Sequence, residues 1–154
     1  MRNWFVLLIS LVLVSCASKA PTTEVMQEAL KEYKLPEIKD KSKGLLCVVR
    51  PDGYGGLIRF NIFIDGQEEA QEFGGTRGNQ HLVIPLDPGK HVVHSKAENW
   101  EATDIEIKAN DYAFIRQIPG MGFLYARNEL KVLDQVEGRF WMMKTGEGTV
   151  KDSK

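Results

Sequence analysis

Three histidines, two cysteines, scattered carboxylates and two arginines at strand ends are the residues with which this 154-residue chain could do chemistry. His81, His91 and His94 are numerous enough for a metal site, but their spacing works against one. On an extended strand His91 and His94, three positions apart, point to opposite faces. His81 approaches His91 or Ser95 only if the strands flanking Pro88-Gly89 form a hairpin, and no carboxylate or cysteine is spaced to complete a ligand set. Neither a metal nor a cofactor is expected.

The acid–base candidates are no more promising. Glu68, Glu69 and Glu72 fall in a polar stretch, where solvation accounts for them, and Asp104 and Glu106 alternate with isoleucines and so face water. No serine stands in a nucleophile-elbow pattern, and no carboxylate pair can be placed across a cleft as glycoside hydrolysis requires. Cys47 lies within Leu45-Leu46-Cys47-Val48-Val49, an apolar run in which a thiol behaves as a small hydrophobe. A nucleophile would need a base and an electropositive, exposed setting. The sequence therefore predicts a protein that is not an enzyme.

Arg50 and Arg116 each sit near the end of an apolar strand. A guanidinium there suits bidentate binding of an anionic partner group, or an ion pair or backbone contact that closes the fold. Tyr54, Arg77 and Trp100 fall in predicted loops. Together they would offer aromatic and polar contacts to a small molecule or glycan, the alternative to a plain interaction module.

The remaining candidate is Cys16. Met1-Arg2-Asn3 carries a positive charge, Trp4 to Val14 is an 11-residue apolar run, and Ser15-Cys16-Ala17-Ser18 is small, which is the layout of a secretory signal. The run is short of the ~20 residues that span a bilayer. Leu13-Val14-Ser15-Cys16 resembles the lipobox of bacterial lipoproteins, in which the cysteine becomes the lipidated first residue. That resemblance implies a covalent lipid on Cys16, a membrane anchor in the cell envelope and, since Ala17 is not aspartate, the outer membrane with the domain facing the periplasm. Cleavage after Ala17 and retention as an anchor helix are the alternatives. With Cys16 lipidated, Cys47 has no disulfide partner.

Without residues 1–15 the chain keeps 19 basic and 21 acidic residues, a formal net charge of −2. So even a balance leaves no electrostatic footprint for nucleic acid. The expected partners are the membrane and an envelope protein or glycan.

These residues need elements to position them. Residues 16–43 read as a tether carrying a short helix from Glu24 to Lys34, capped by Thr23, with Val25, Met26, Ala29, Leu30 and Tyr33 in one stripe. Pro36 stops it. From Gly44 the apolar period becomes two. Strands are predicted over Gly44 to Arg50, Ile58 to Ile64, Leu82 to Leu86, Val92 to Ala97, around Ile105-Ile107, over Tyr112 to Ile118 and over Glu129 to Asp134, with Leu130 and Val132 facing in. Turns are marked by Pro51-Asp52-Gly53, Asp65-Gly66, Asp87-Pro88-Gly89 and Asn110-Asp111, while Pro119-Gly120 breaks a strand. Gln67 to Phe73 reads as a polar stretch and Gly74 to Asn79 as a loop. Seven or eight strands spaced by about ten residues predict a mainly β, antiparallel β-sandwich over residues 44–138. Residues 139–154 form a C-terminal segment. Its Phe140, Trp141, Met142 and Met143 make a short helix closing the sandwich or a partner surface, and its last four residues a solvated end.

With the strands placed, residues 44–138 resemble a family of small bacterial lipoproteins whose shared domain is one of unknown function. The features are Val48-Val49-Arg50-Pro51, the cluster Gly53 to Gly56 before a strand into Ile64-Asp65-Gly66, Pro88-Gly89-Lys90-His91, Tyr112-Ala113-Phe114-Ile115-Arg116, and Leu130-Val132-Leu133. Glycine usually precedes the tyrosine strand in that family. Asn110-Asp111 stands there in this chain, and asparagine can take the same backbone shape. The resemblance implies an immunoglobulin-like sandwich and a lipid anchor, and supplies no activity.

Overall fold

The computed structural model describes residues 20–124 and 126–151. The signal segment and Cys16 lie outside them. Ten strands form two five-stranded sheets, and the mainly β sandwich with short helices expected from the sequence is the fold of the chain. Helix α1 (Thr23–Ala29) leads to β1 (Gly44–Arg50), β2 (Phe60–Ile64), β3 (Glu72–Thr76), β4 (Gln80–Leu86), β5 (Gly89–Lys96), β6 (Trp100–Ile107), β7 (Tyr112–Met121) and β8 (Ala126–Leu133). Helix α2 (Gln135–Lys144) and two short strands, β9 (Gly146–Glu147) and β10 (Thr149–Val150), complete it.

One sheet has the order β8-β7-β1-β4-β9 and the other β10-β3-β2-β5-β6. The second is antiparallel throughout. The first is not: β1 runs antiparallel to β4 but parallel to β7, and β4 parallel to β9. This departure from a wholly antiparallel sandwich explains why every residue of β1 is buried. A strand covered on both faces reads as a continuous apolar run. Leu46 and Val48 point between the sheets, where they meet Leu82, Ile84, Ile115 and Leu130 of their own sheet and Ile62, Val93, Ile105 and Ile107 of the other. Cys47 and Val49 point the other way and pack with Phe114 and Leu133 under Met142 of α2. Helix α1 closes that layer through Met26 and Leu30 against Phe140.

Several expectations are corrected by long-range pairing. Helix α1 ends at Ala29, not Lys34, because Leu30, Tyr33 and Leu35 are drawn onto α2 and the sheet, where Arg139 donates to the Tyr33 carbonyl at 3.3 Å. The polar stretch after Asp65 becomes a 3₁₀ turn (Glu69–Gln71) and then strand β3, which returns along β2 with a bulge between Ile62 and Phe63. The turn at Pro88-Gly89 is no hairpin, because it carries the chain from one sheet to the other. Strand β7 continues through Pro119 and Gly120 to Met121, since Pro119 pairs opposite Asn128 at the sheet edge, where proline's missing N–H is tolerated. Val132 shares Leu130's face but is 51% exposed at the open edge of β8, while Leu133 is buried under α2. Of the predicted solvated end, residues 152–154 lie outside the described residues and Lys151 is not merely solvated. Lys151 donates its backbone N–H to the Phe73 carbonyl at 2.8 Å and pairs with Glu69 and Glu72.

The local turn chemistry holds. Asp65, Asn79 and Asn110 take left-handed backbones with φ of 57°, 60° and 56°, respectively, and Gly89 has φ 144°. Among the described residues no helix is long and apolar enough to cross a membrane.

Candidate functional site

Arg50 and the loops carrying Tyr54 and Arg77 lie at one end of the sandwich, where β1 finishes. Arg50 is fully buried, a costly place for a cation unless its donors are satisfied. Its Nη1 donates to the carbonyls of Ile58 (2.6 Å) and Thr76 (3.3 Å), and its Nη2 to those of Tyr54 (3.3 Å) and Gly55 (2.9 Å). The guanidinium carbon stands 3.7 Å from the centre of the Phe60 ring, a cation–π contact. Burial lowers its pKa to about 10, with Asp52 opposing the shift, so it remains a cation at neutral pH. The loop that follows β1 is thus wrapped around a buried charge, and Gly55 provides the left-handed turn (φ 58°) that lets its carbonyl face inward. Arg50 has no surface left for an outside ligand. Its backbone contacts close the sandwich.

Beneath this loop a buried polar chain crosses between the sheets. Thr76 Oγ1 donates to Gln117 Oε1, and Gln117 Nε2 donates to Ser95 Oγ at 2.8 Å. Beside it Asn99, in the turn after β5, donates from Nδ2 to the Asn128 carbonyl (2.9 Å) and accepts the Asn128 N–H (2.8 Å). The neighbouring Glu98 carboxylate accepts the backbone N–H groups of Phe123 and Leu124. The turn between β5 and β6 is thereby tied to the tip between β7 and β8.

Arg116 leaves the sheet on the opposite face. It grips the Asp52 carboxylate with Nε (3.3 Å) and Nη2 (3.0 Å to each oxygen), and its guanidinium lies 5.0 Å from the Trp141 ring centre. Glu137 adds a longer ion pair at 3.9 Å. Arg116 is therefore committed to joining the loop after β1 with α2.

Of the loop residues, Tyr54 and Arg77 lie on loops that touch each other. Arg77 Nε donates to the Leu57 carbonyl at 3.3 Å, and Gly78 N–H to the Gly56 carbonyl at 3.0 Å, so the turn after β3 docks on the glycine loop. Trp100 does not join them. It lies on the outer face of its sheet, its ring 5.0 Å from Phe63 and under the Lys96 ammonium at 4.3 Å.

The histidines go three separate ways. His81 Nδ1 meets Thr145 Oγ1 at 3.0 Å, His94 Nδ1 meets Gln67 Nε2 at 3.3 Å, and His91 lies at the far end of the sandwich. There its Nδ1 contacts the Asp65 carboxylate (2.7 Å) and its Nε2 the Asp87 carbonyl (2.8 Å). Both partners are acceptors, so the arrangement favours the ring with both nitrogens protonated. Burial pulls the His91 pKa down, but the bonds to Asp65 and Asp87 outweigh it and the net shift is upward. A hollow of about 410 Å³ opens there between His91, Val92, Asp104 and Ile105. Cys47 is buried, and desolvation raises its thiol to about 12. No three metal-ligating side chains converge among the described residues.

Sequence reasoning missed the most conspicuous feature of the loop end. Phe123 is 92% exposed, Leu57 91%, Met121 82%, Leu124 74% and Tyr54 54%. Most of the large exposed hydrophobics among the described residues sit on the loop after β1 and on the end of β7 with the turn that follows it, which come near each other at Gly55 and Ala126. The signal was available in Met121-Gly122-Phe123-Leu124, a turn that carries apolar side chains where turns ordinarily carry polar ones.

No protein-family model matches the chain, and comparison with curated proteins and with solved structures gives no match. No family is shown.

Proposed function

We propose that this chain is a membrane-anchored lipoprotein of the bacterial cell envelope whose β-sandwich is a non-enzymatic interaction or structural module. The observation that carries this reading is Leu13-Val14-Ser15-Cys16 at the end of an 11-residue apolar run. Acyl chains on Cys16 would hold the domain firmly, since one chain alone is marginal and several are not. The resemblance of residues 44–138 to small bacterial lipoproteins is in keeping with it, as is Ala17 with an outer-membrane location facing the periplasm. The geometry supports an interaction surface over a reaction centre. Arg50, Arg116 and Cys47 are taken up by structural contacts, while the loop end carries an exposed apolar cluster of the kind that marks protein or membrane interaction sites. The reading as a small-molecule or glycan module has less support, because Trp100 packs away from Tyr54 and Arg77.

The test is the N-terminus of the mature protein. Mass spectrometry should find a chain beginning at acylated Cys16, and Cys16→Ala should move the protein out of the membrane fraction. A mature chain starting elsewhere, or without acyl groups, overturns the anchor.

A further inference from the structure

The five exposed apolar side chains of the loop end need an occupant. We propose that they enter the surface of the lipid bilayer to which the chain is anchored, with Phe123, Leu124 and Leu57 as the deepest points; this rests on the anchoring of Cys16 proposed above.

Reach comes first. Six residues lie between Cys16 and Thr23, the start of α1, and the seven Cα steps span at most ~25 Å when extended. Helix α1 is fixed to α2 where Met26 and Leu30 cluster with Phe140. From Phe140 the helix rises only ~8 Å to Thr145. Thr145 meets His81 beside Gln80, the partner of Arg50, and so marks the loop end. A tether of at most ~25 Å keeps the domain close to the membrane, and α1 is held against the helix whose C-terminal end lies beside the loop end, which is compatible with that end facing the bilayer.

Shape and chemistry agree with a lipid surface. The side chains protrude singly from two loop tips, and five of them fall short of the ~20–30 residues a side of a stable protein pair. Peptide groups entering an apolar phase must have their hydrogen bonds satisfied from within the protein. The Phe123 and Leu124 N–H groups already are, at 3.0 and 3.1 Å from the Glu98 carboxylate. Exposed Arg77 and Arg127 flank the two tips and suit anionic headgroups. Neither tip has a structural duty in the core, so their exposure is not explained by folding.

The experiment uses full-length acylated protein reconstituted in vesicles of phosphatidylethanolamine and phosphatidylglycerol. Single cysteines at Leu124→Cys, Leu57→Cys and, as a control, Val132→Cys take an environment-sensitive dye, Cys47 being buried. Emission from the first two should shift to the blue and be quenched by spin-labelled lipid, while the control reports water. If all three report water in an acylated protein, insertion is overturned and anchoring stands. The converse is tested with Cys16→Ala chains that bear no acyl group. Adding Phe123→Ser and Leu124→Ser should weaken their vesicle binding on the order of tenfold or more. Both chains keep the same N-terminal run, so its contribution cancels, and unchanged melting curves show that both fold. Equal binding overturns the proposal, as does a dye signal that depends on protein concentration and reports a second copy in place of lipid.

Discussion

The carboxylate of Glu98 accepts the backbone N–H of Phe123 at 3.0 Å, fastening the turn between β5 and β6 to the tip between β7 and β8. The same carboxylate takes the N–H of Leu124 at 3.1 Å, so two exposed apolar residues are presented on a braced turn. Glu98→Ala should free both amides. Hydrogen exchange at Phe123 and Leu124 is expected to accelerate, with a global cost of about 1 kcal/mol, the scale of one or two lost hydrogen bonds. Unchanged exchange at these amides would show that the tip is held by something else.

Arg50 is the buried cation that holds the loop carrying Tyr54 and Leu57. Arg50→Met fills similar volume but orphans four carbonyls, and should lower stability by about 3 kcal/mol in urea unfolding. Arg50→Lys should recover little of it, because an ammonium cannot reach four acceptors with a planar fork.

Gly138 lets α2 lie directly on the sheet, since a Cβ built there would overlap the Phe114 ring. Gly138→Ala gains up to ~1 kcal/mol of helix propensity and incurs ~1–3 kcal/mol of overpacking. The second effect should win, with a lower melting temperature. A rise would mean that α2 shifts without resistance.

The His91–Asp65 pair should make stability pH-dependent in a defined window. The His91 pKa is raised above its ordinary 6.5, so its contribution is complete below 6.5 and is lost as pH rises through the folded value. At Asp65 burial pushes the pKa up, but the bonds from His91 and the Val92 N–H outweigh it and the net shift is down. That contribution is complete above the ordinary 3.8 and is lost as pH falls through the folded value. Both are present between pH 3.8 and 6.5. Asp65→Asn should return the His91 titration, followed by NMR, to lower pH. A titration that stays put would assign the shift to the Asp87 carbonyl alone.

Cys47 should resist thiol reagents in the folded protein and react once it unfolds. Its thiol is raised from 9.0 to about 12 by burial, so the unfolded state loses its proton first as pH rises. Stability should therefore fall between pH 9 and about 12. Cys47→Ala should remove that part of the decline, as read from urea midpoints at pH 8 and 10. Equal slopes in both proteins would contradict the burial of this thiol.

Much of this protein was written in short stretches of its sequence. Phe60, Ile62 and Ile64 announce a strand by period alone, and Asn110 and Pro88-Gly89 mark their turns through backbone preferences that need no neighbours. Cys47 was legible as core because it sits inside five consecutive apolar residues, Leu45 to Val49, of one strand. Local chemistry could not decide pairing. Arg50 and Arg116 look alike in sequence, at or near the ends of apolar strands. Only the parallel placement of β7 beside β1 sends one under four carbonyls and the other out to Asp52 and Trp141. The two-residue strands β9 and β10 carry no period at all and exist because α2 delivers them to the edges of both sheets. Leu57 and Phe123 stand far apart in the chain, and each alone reads as a residue for the core. Their outward, shared position depends on which loops Arg50 and Glu98 hold together, and hydrogen bonds across such distances are settled by the fold as a whole.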